Sequence, residues 1–129
     1  MTGEPGALDT ARRLFLAVES GELEDLNTIF VEGAQVWHNT DDSLTDIPTT
    51  IRNLRTIREN ARLFSYRDIR RTLTTEGFVQ QHTLIVVTRD GRRIEDRCCC
   101  ICTVRRGRIE RMDAYHDSAA TGAMAHKAG

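Results

Sequence analysis

Apolar residues recur first at helical spacing and then in alternation, and the change falls near residue 65. After a loose lead-in over residues 1–6, Leu8, Ala11, Leu14, Phe15 and Val18 mark the buried stripe of a first helix, which Ser20-Gly21 breaks. Leu23, Leu26, Ile29 and Phe30 predict a second, shorter helix. Glu22, Glu24 and Asp25 lie near its start, where the helix dipole favours acids, and Gly33 closes it. Ala34 to Asn39 predicts a short strand and Thr40 to Asp46 a polar loop. Asp46 and Pro48 are helix-start signals, and Ile47, Ile51, Leu54, Arg58, Ala61 and Leu63 or Phe64 extend a third helix. Beyond it, Tyr66 to Thr75, Phe78 to Arg89, Arg93 to Arg105 and Arg108 to Asp117 read as strands, separated by the turns Glu76-Gly77, Asp90-Gly91 and Arg106-Gly107. Residues 119–129, rich in Ala and Gly, read as a mobile tail.

The order is helix, helix, strand, helix, then an antiparallel meander. It predicts one α+β domain over 1–129, with a core over 7–118 and three helices packed on one face of a curved antiparallel sheet. The 129 residues suffice for one core without disulfides or metals. With 18 basic and 19 acidic side chains, the chain lacks the concentrated positive surface that nucleic acid or an anionic membrane rewards. No apolar run crosses a bilayer and no secretory signal opens the sequence, so the expectation is a cytoplasmic protein with reduced thiols. Apolar residues occupy both faces from Leu84 to Val87, which predicts that the outer sheet face is covered in a homodimer.

Three groups of residues carry candidate chemistry. His38, between Trp37 and Asn39 on the first strand, has an ordinary pKa near working pH and suits a general base; alternatively it is a structural histidine. Val36 shares its face. His116 shares a face of the last strand with Met112 and Ala114; it either faces His38 as an acid–base partner or sits at the sheet end, partly wet and inert. On the second meander strand, Gln81 and Thr83 alternate with His82. Counting from the turn glycine places Gln81 and Thr83 inside, and a bulge would place His82 there instead. Cys98, Cys99, Cys100 and Cys102 lie along one strand and cannot wrap a tetrahedral ion, so they read as metal-free, with Cys100 in the interior wall. No nucleotide fingerprint is present, so no cofactor is expected.

The element order, with the motifs Val36-Trp37-His38-Asn39-Thr40-Asp41 and Gly107-Arg108-Ile109-Glu110-Arg111-Met112-Asp113-Ala114-Tyr115-His116-Asp117, resembles the nuclear-transport-factor-2-like superfamily. That superfamily includes ketosteroid isomerases, limonene-epoxide hydrolases and SnoaL-like polyketide cyclases. Gly77-Phe78-Val79-Gln80-Gln81-His82 adds to the SnoaL-like resemblance. The resemblance implies a cone-shaped fold that binds a hydrophobic small molecule, with Met112, Ala114 and His116 along its cavity. It places His38 where the isomerases carry their proton-shuttling aspartate. On the penultimate strand, where they carry a protonated acid, it finds the cysteine run and no carboxylic acid. Gln81, Thr83 and Ala114 stand where the epoxide hydrolases carry charged groups. Two functions follow as expectations: an acid–base enzyme of isomerase, cyclase or hydrolase type needing no cofactor, with substrate-facing Val36, Trp37, Asn39, Gln81, His82, Thr83, Cys100, Met112 and Ala114, or a non-catalytic binding or protein-interaction domain on the same fold.

Overall fold

A computed structural model describes residues 6–117 and 119. The expectation of a mobile tail falls almost wholly outside those residues. Helix α1 spans Ala7–Ser20, a 3-10 turn spans Leu23–Asp25, α2 spans Leu26–Ile29 and α3 spans Ile47–Glu59. The strands are β1 (Phe30–His38), β2 (Ser43–Asp46), β3 (Ala61–Leu73), β4 (Gly77–Thr88), β5 (Arg93–Arg105) and β6 (Arg108–Tyr115). They form one sheet in the order β2-β1-β6-β5-β4-β3. All neighbours are antiparallel except β1 and β6, which run parallel. The result is an α+β cone: three helices on a curved, unclosed six-stranded sheet.

Several boundaries differ from the sequence reading. Gly33 does not end a helix. It lies within β1 at φ +82°, in the stretch where the register against β6 shifts between Phe30 and Gln35. Only glycine adopts such a φ at low cost, so a local irregularity takes the place of the expected helix stop. The polar stretch after Asn39 contains β2, which pairs Ser43 with His38 and Asp46 with Gln35. Helix α3 ends earlier than its apolar period implied: Asn60 follows it, and Ala61, Leu63 and Phe64 belong to β3. Their pairing with β4 outweighs local helical propensity there.

The helices are fixed where their ends are exposed to competition with water. Asp46 accepts a hydrogen bond from the Thr49 N–H (2.8 Å) and Pro48 sits in the first turn, so α3 starts where the sequence said. Arg58 at its other end donates to the Val18 and Glu19 carbonyls (3.0 and 2.9 Å), satisfying the last turn of α1 and placing a cation at its negative end. Leu14, Phe15 and Val18 of α1 and Ile51 of α3 are buried in one core with Phe64, Phe78, Leu84, Val86, Ile94 and Met112.

Gly77 opens β4 under tight constraint. A Cβ there would lie 2.2 Å from the Cys102 carbonyl oxygen and 2.9 Å from the Val104 nitrogen, both backbone atoms of the paired strand. Gly77→Ala is therefore expected to destabilise the protein by about 1–3 kcal/mol, because the strand pair must open to admit the methyl group. Urea denaturation checks this.

Candidate functional site

Alternation along the strands decides which side chains face the helices. On β4 and β5 these even-numbered positions are buried: Phe78, Gln80, His82, Leu84 and Val86, then Ile94, Asp96, Cys98, Cys100 and Cys102; among the odd-numbered ones only Gly77 and Ile85 are. Register between these strands is unbroken from Gly77↔Thr103 to Val87↔Arg93, with His82 opposite Cys98. Gln81 is exposed and Thr83 half-buried, on the face away from α1. This corrects the expectation that Gln81 and Thr83 point inside. The irregularity at this level lies in β3, between Arg67 and Arg70 opposite His82, while β4 keeps an unbroken register with β5, so its alternation runs from Phe78 as the first inward side chain. His82 meets the rings of Phe15 and Tyr66 at centroid distances of 5.3 and 4.7 Å.

Val36, Cys100, Met112 and Ala114 are buried on the helix-facing side, as expected. Trp37 and Asn39 are not on that side. The Trp37 indole donates to Asp42 (2.6 Å) and packs edge-on against Tyr115. Asn39 clamps the backbone of His116: its side-chain oxygen accepts from the His116 N–H (2.7 Å) and its amide donates to the His116 carbonyl (3.3 Å). Both were expected to touch substrate; both instead hold the ends of β1 and β6 together.

That clamp brings the two histidines into contact. His38 Nδ1 lies 3.2 Å from His116 Nε2, and the rings stack with a 20° interplanar angle. His116 Nδ1 lies 3.0 Å from Asp96 Oδ2. Asp96 is completely buried, and its other oxygen accepts the Asp117 backbone N–H (2.9 Å). The sequence reading found no carboxylic acid on this penultimate strand. The structure supplies one two residues before Cys98, on the same face as Ile94, Cys98, Cys100 and Cys102. Burial raises the Asp96 pKa, but hydrogen bonds from His116 and from Asp117 N–H outweigh it and leave the group below its ordinary value.

The hydrogen-bond pattern assigns the tautomers. Ionised Asp96 accepts only, so His116 Nδ1 carries a proton. In the neutral ring, His116 Nε2 is then an acceptor and takes the proton on His38 Nδ1. His38 Nε2 is left with its lone pair. Its hydrogen-bond contact among the described residues is the Thr45 hydroxyl at 3.5 Å. Thr45 has closer partners, the Thr50 hydroxyl at 3.1 Å and the Val36 carbonyl at 3.3 Å, and Thr50 spends its own proton on the Asp46 carbonyl (2.9 Å). The lone pair of His38 is thus weakly engaged. Burial, with His116 beside it, lowers the His38 pKa, against the pull of Asp41, and the imidazole is neutral at pH 7. His38 is half-buried and the His116 side chain keeps 22% of its surface exposed, so a ligand can reach the pair.

Asp96, Cys98 and His116 are also the group of described residues whose ligating atoms converge, all within 4.8 Å of one another. Cys98 Sγ is 3.7 Å from His116 Nδ1 and contacts the Asp96 carbonyl at 3.4 Å. A metal here would have to take the Cys98 proton, which burial in an apolar wall and the nearby Asp96 hold firmly, and displace the Asp96–His116 bond. The four thiols are free; burial pushes Cys100 up to about 12 and Cys102 well above its ordinary value. An open groove of about 580 Å³ lies elsewhere, between α2, β1 and the start of α3; Leu26, Phe30, Ala34, Asp46, Ile47 and Arg108 are among its walls, and none of the histidines lines it.

His82 makes stability depend on pH. Burial lowers its pKa from 6.5 to about 4, with His116 and Arg71 adding to the shift and Asp96 opposing it. Between those values the unfolded chain binds a proton that the folded chain refuses. Stability therefore falls as pH drops from about 6.5 to about 4, by up to about 3 kcal/mol for this group. Urea denaturation across that range is expected to show the slope, and His82→Phe to flatten it.

No known family profile matches the sequence, and no curated protein is similar to it. Solved structures do match. Wild-type IdmH from Streptomyces antibioticus, described as a candidate polyketide cyclase, superposes with a TM-score of 0.77 at 17% identity, over 93% of this chain and 98% of that one. A candidate SnoaL-like polyketide cyclase from Shewanella putrefaciens gives 0.78 at 9% identity, over 95% and 97%. An LEH-like epoxide hydrolase from M. tuberculosis gives 0.73 at 16% identity, over 92% and 87%. Helix order, sheet topology and these superpositions agree: the chain has the nuclear-transport-factor-2-like fold in its SnoaL-like form.

Proposed function

We propose that this protein is an acid–base enzyme acting on a hydrophobic small molecule through its own side chains, with His38 as the proton-transfer group. The observation that carries the reading is the chain Asp96–His116–His38. A buried carboxylate fixes one imidazole, which fixes the next, and the last nitrogen is free to take a proton. When His38 Nε2 accepts a proton from substrate, its Nδ1 proton can pass to His116 Nε2, and Asp96 stabilises the resulting imidazolium. The wall around the pair (Val36, Cys98, Cys100, Met112 and Ala114) is apolar, which suits a hydrophobic substrate and strengthens the charges inside it. The superposed proteins described as polyketide cyclases or as an epoxide hydrolase support a small-molecule substrate.

Proton abstraction next to a carbonyl is the simplest reaction for this site. A panel of apolar ketones incubated in D₂O and followed by NMR is expected to exchange α-hydrogens faster with the protein than with its His38→Gln variant. Ligands that bind tightly but exchange equally in both would assign the chain to binding alone.

The protein also acts, on this reading, as a homodimer. Ile101 and Tyr115 are 43% and 41% exposed on the outer sheet face, beside Trp37. Light scattering at micromolar concentration is expected to give twice the chain mass of 14.6 kDa; the monomer mass at every concentration would remove the dimer.

A further inference from the structure

His82 is not part of the Asp96–His116–His38 chain, yet it is 6% exposed and wired to two further polar residues. Arg71 Nε lies 2.5 Å from Gln80 Oε1, and Gln80 Nε2 lies 2.9 Å from His82 Nδ1. Gln80 is itself completely buried. The guanidinium can only donate, so it faces the amide oxygen and fixes which way Gln80 points. The amide nitrogen then faces His82 and can also only donate. His82 Nδ1 must therefore be unprotonated. A neutral imidazole with a bare Nδ1 carries its proton on Nε2, on the far side of the ring from Gln80.

That Nε2–H has no hydrogen-bond partner among the described residues, although the side chain is more than nine-tenths buried. A buried donor left unpaired is costly, and a polar network of this kind is retained where something completes it. Around the ring lie Phe15, Tyr66 and, across the strand pair, Cys98, which in turn touches His116. The donor thus sits in an apolar wall on the same sheet face as the proposed base.

We propose that His82, with its tautomer locked by Arg71 and Gln80, is a ligand-binding residue that donates its Nε2–H to an oxygen of the ligand, and that the ligand is an extended apolar carbonyl compound. This rests on the acid–base reading for the direction of the ligand but not for the tautomer. Three features select the class. A neutral donor with no acceptor capacity favours a carbonyl oxygen over an ammonium or hydroxyl donor. The aromatic surroundings favour an apolar body. β4 and β1 are separated by β5 and β6, three strand spacings or roughly 14 Å between backbones, so a molecule touching both His82 and His38 is extended. As negative charge develops on the carbonyl oxygen, a donor held in place without water reorganisation stabilises it. The charged and titratable groups felt by His82 are Asp96, His116 and Arg71, and burial outweighs the one that would protonate it.

The tautomer is measurable without a substrate. Two-bond proton–nitrogen NMR on histidine-labelled protein is expected to show His82 protonated at Nε2 and bare at Nδ1 from about pH 6 to about pH 8. An Nδ1-protonated, exchange-averaged or doubly protonated ring would overturn the proposal. Gln80→Glu places an acceptor at Nδ1 and is expected to move the proton there. The binding arm uses 2-acetyl-6-(dimethylamino)naphthalene, an apolar aromatic ketone whose fluorescence shifts when its carbonyl accepts a hydrogen bond. Its affinity is expected to fall about tenfold in both Gln80→Glu and His82→Phe. Equal affinity in folded variants, or no binding to the wild type at millimolar probe, counts against the proposal. A His38→Gln variant that exchanges ketone hydrogens normally would sink the acid–base reading and leave the His82 tautomer standing; the wrong tautomer would do the reverse.

Discussion

A His38→Gln variant is expected to lose about two orders of magnitude or more in proton-transfer rate while keeping its fold. Glutamine preserves what the structure asks of the residue as a packing group. Its length is similar, and its amide N–H can donate to His116 Nε2 as the imidazole Nδ1–H does at 3.2 Å. What it lacks is a basic lone pair, because an amide takes no proton at neutral pH. Urea denaturation should therefore change little, since His38 is only half-buried. The rate with any ketone found to exchange should collapse. The pH profile adds a second readout: activity of the wild type should fall on the acid side as His38 takes a proton, at a pH below the ordinary histidine range, because burial lowers its pKa. A well-folded variant with an unchanged rate would make His38 structural and move the weight to ligand binding.

The arrangement around these groups was legible in the sequence only in part, and the reasons are physical. Periodicity located α1, the start of α3 and strands β4 to β6, because each buries one face against the same core. It failed where local pattern and tertiary pairing compete. Ala61, Leu63 and Phe64 extend the helical stripe of α3, yet they pair with Thr88, Val87 and Val86 of β4. Gly33 carries the usual sign of a helix end but serves an irregular strand. The polar run before Asp46 hides a short edge strand, β2, whose burial is too slight to leave an apolar signature.

At the site, the motif positions leave His116 either facing His38 or inert at the sheet end; the structure puts the two rings in contact at 3.2 Å. Asp96 lies just outside the Cys98 to Cys102 run that matches the isomerases' acid position, so the resemblance alone does not point to it. The signal was present: Ile94, Cys98, Cys100 and Cys102 share one parity along a single strand, and Asp96 has the same parity. A charged residue on an otherwise apolar face is the pattern of a paired, buried carboxylate. The choice between His82 and Gln81 turned on one residue of register. Sequence cannot fix that when both faces of the strand carry apolar side chains, as Leu84 to Val87 do. Asn39 misled for another reason. Its neighbours suggested the interior, whereas its side chain is spent on the backbone of His116.

Asp96→Asn is expected to cost a comparable or larger share of the rate, on the order of 10²–10⁴-fold, although Asp96 never touches substrate. Hydrogen-bond capacity decides the outcome. The carboxylate accepts twice, from the Asp117 backbone N–H on one oxygen (2.9 Å) and from His116 Nδ1–H on the other (3.0 Å). Asparagine has one acceptor oxygen. The backbone N–H cannot reverse its role, so the oxygen stays with Asp117 and the amide NH₂ turns toward His116. That amide only donates, and His116 Nδ1 must then be bare, with its proton on Nε2. His116 Nε2–H donates in turn to His38 Nδ1, which must also be bare, and the remaining proton of neutral His38 moves to Nε2. The nitrogen that should accept a proton from substrate now carries one. A merely structural role for Asp96 would cost stability and leave the tautomers alone, so the deciding readout is nitrogen NMR of both histidines beside the rate. Wild-type His38 is expected to be protonated at Nδ1 and the variant's at Nε2, with the fold retained by urea denaturation. Nδ1-protonated His38 with an unchanged rate in Asp96→Asn would break the link between the buried carboxylate and the base.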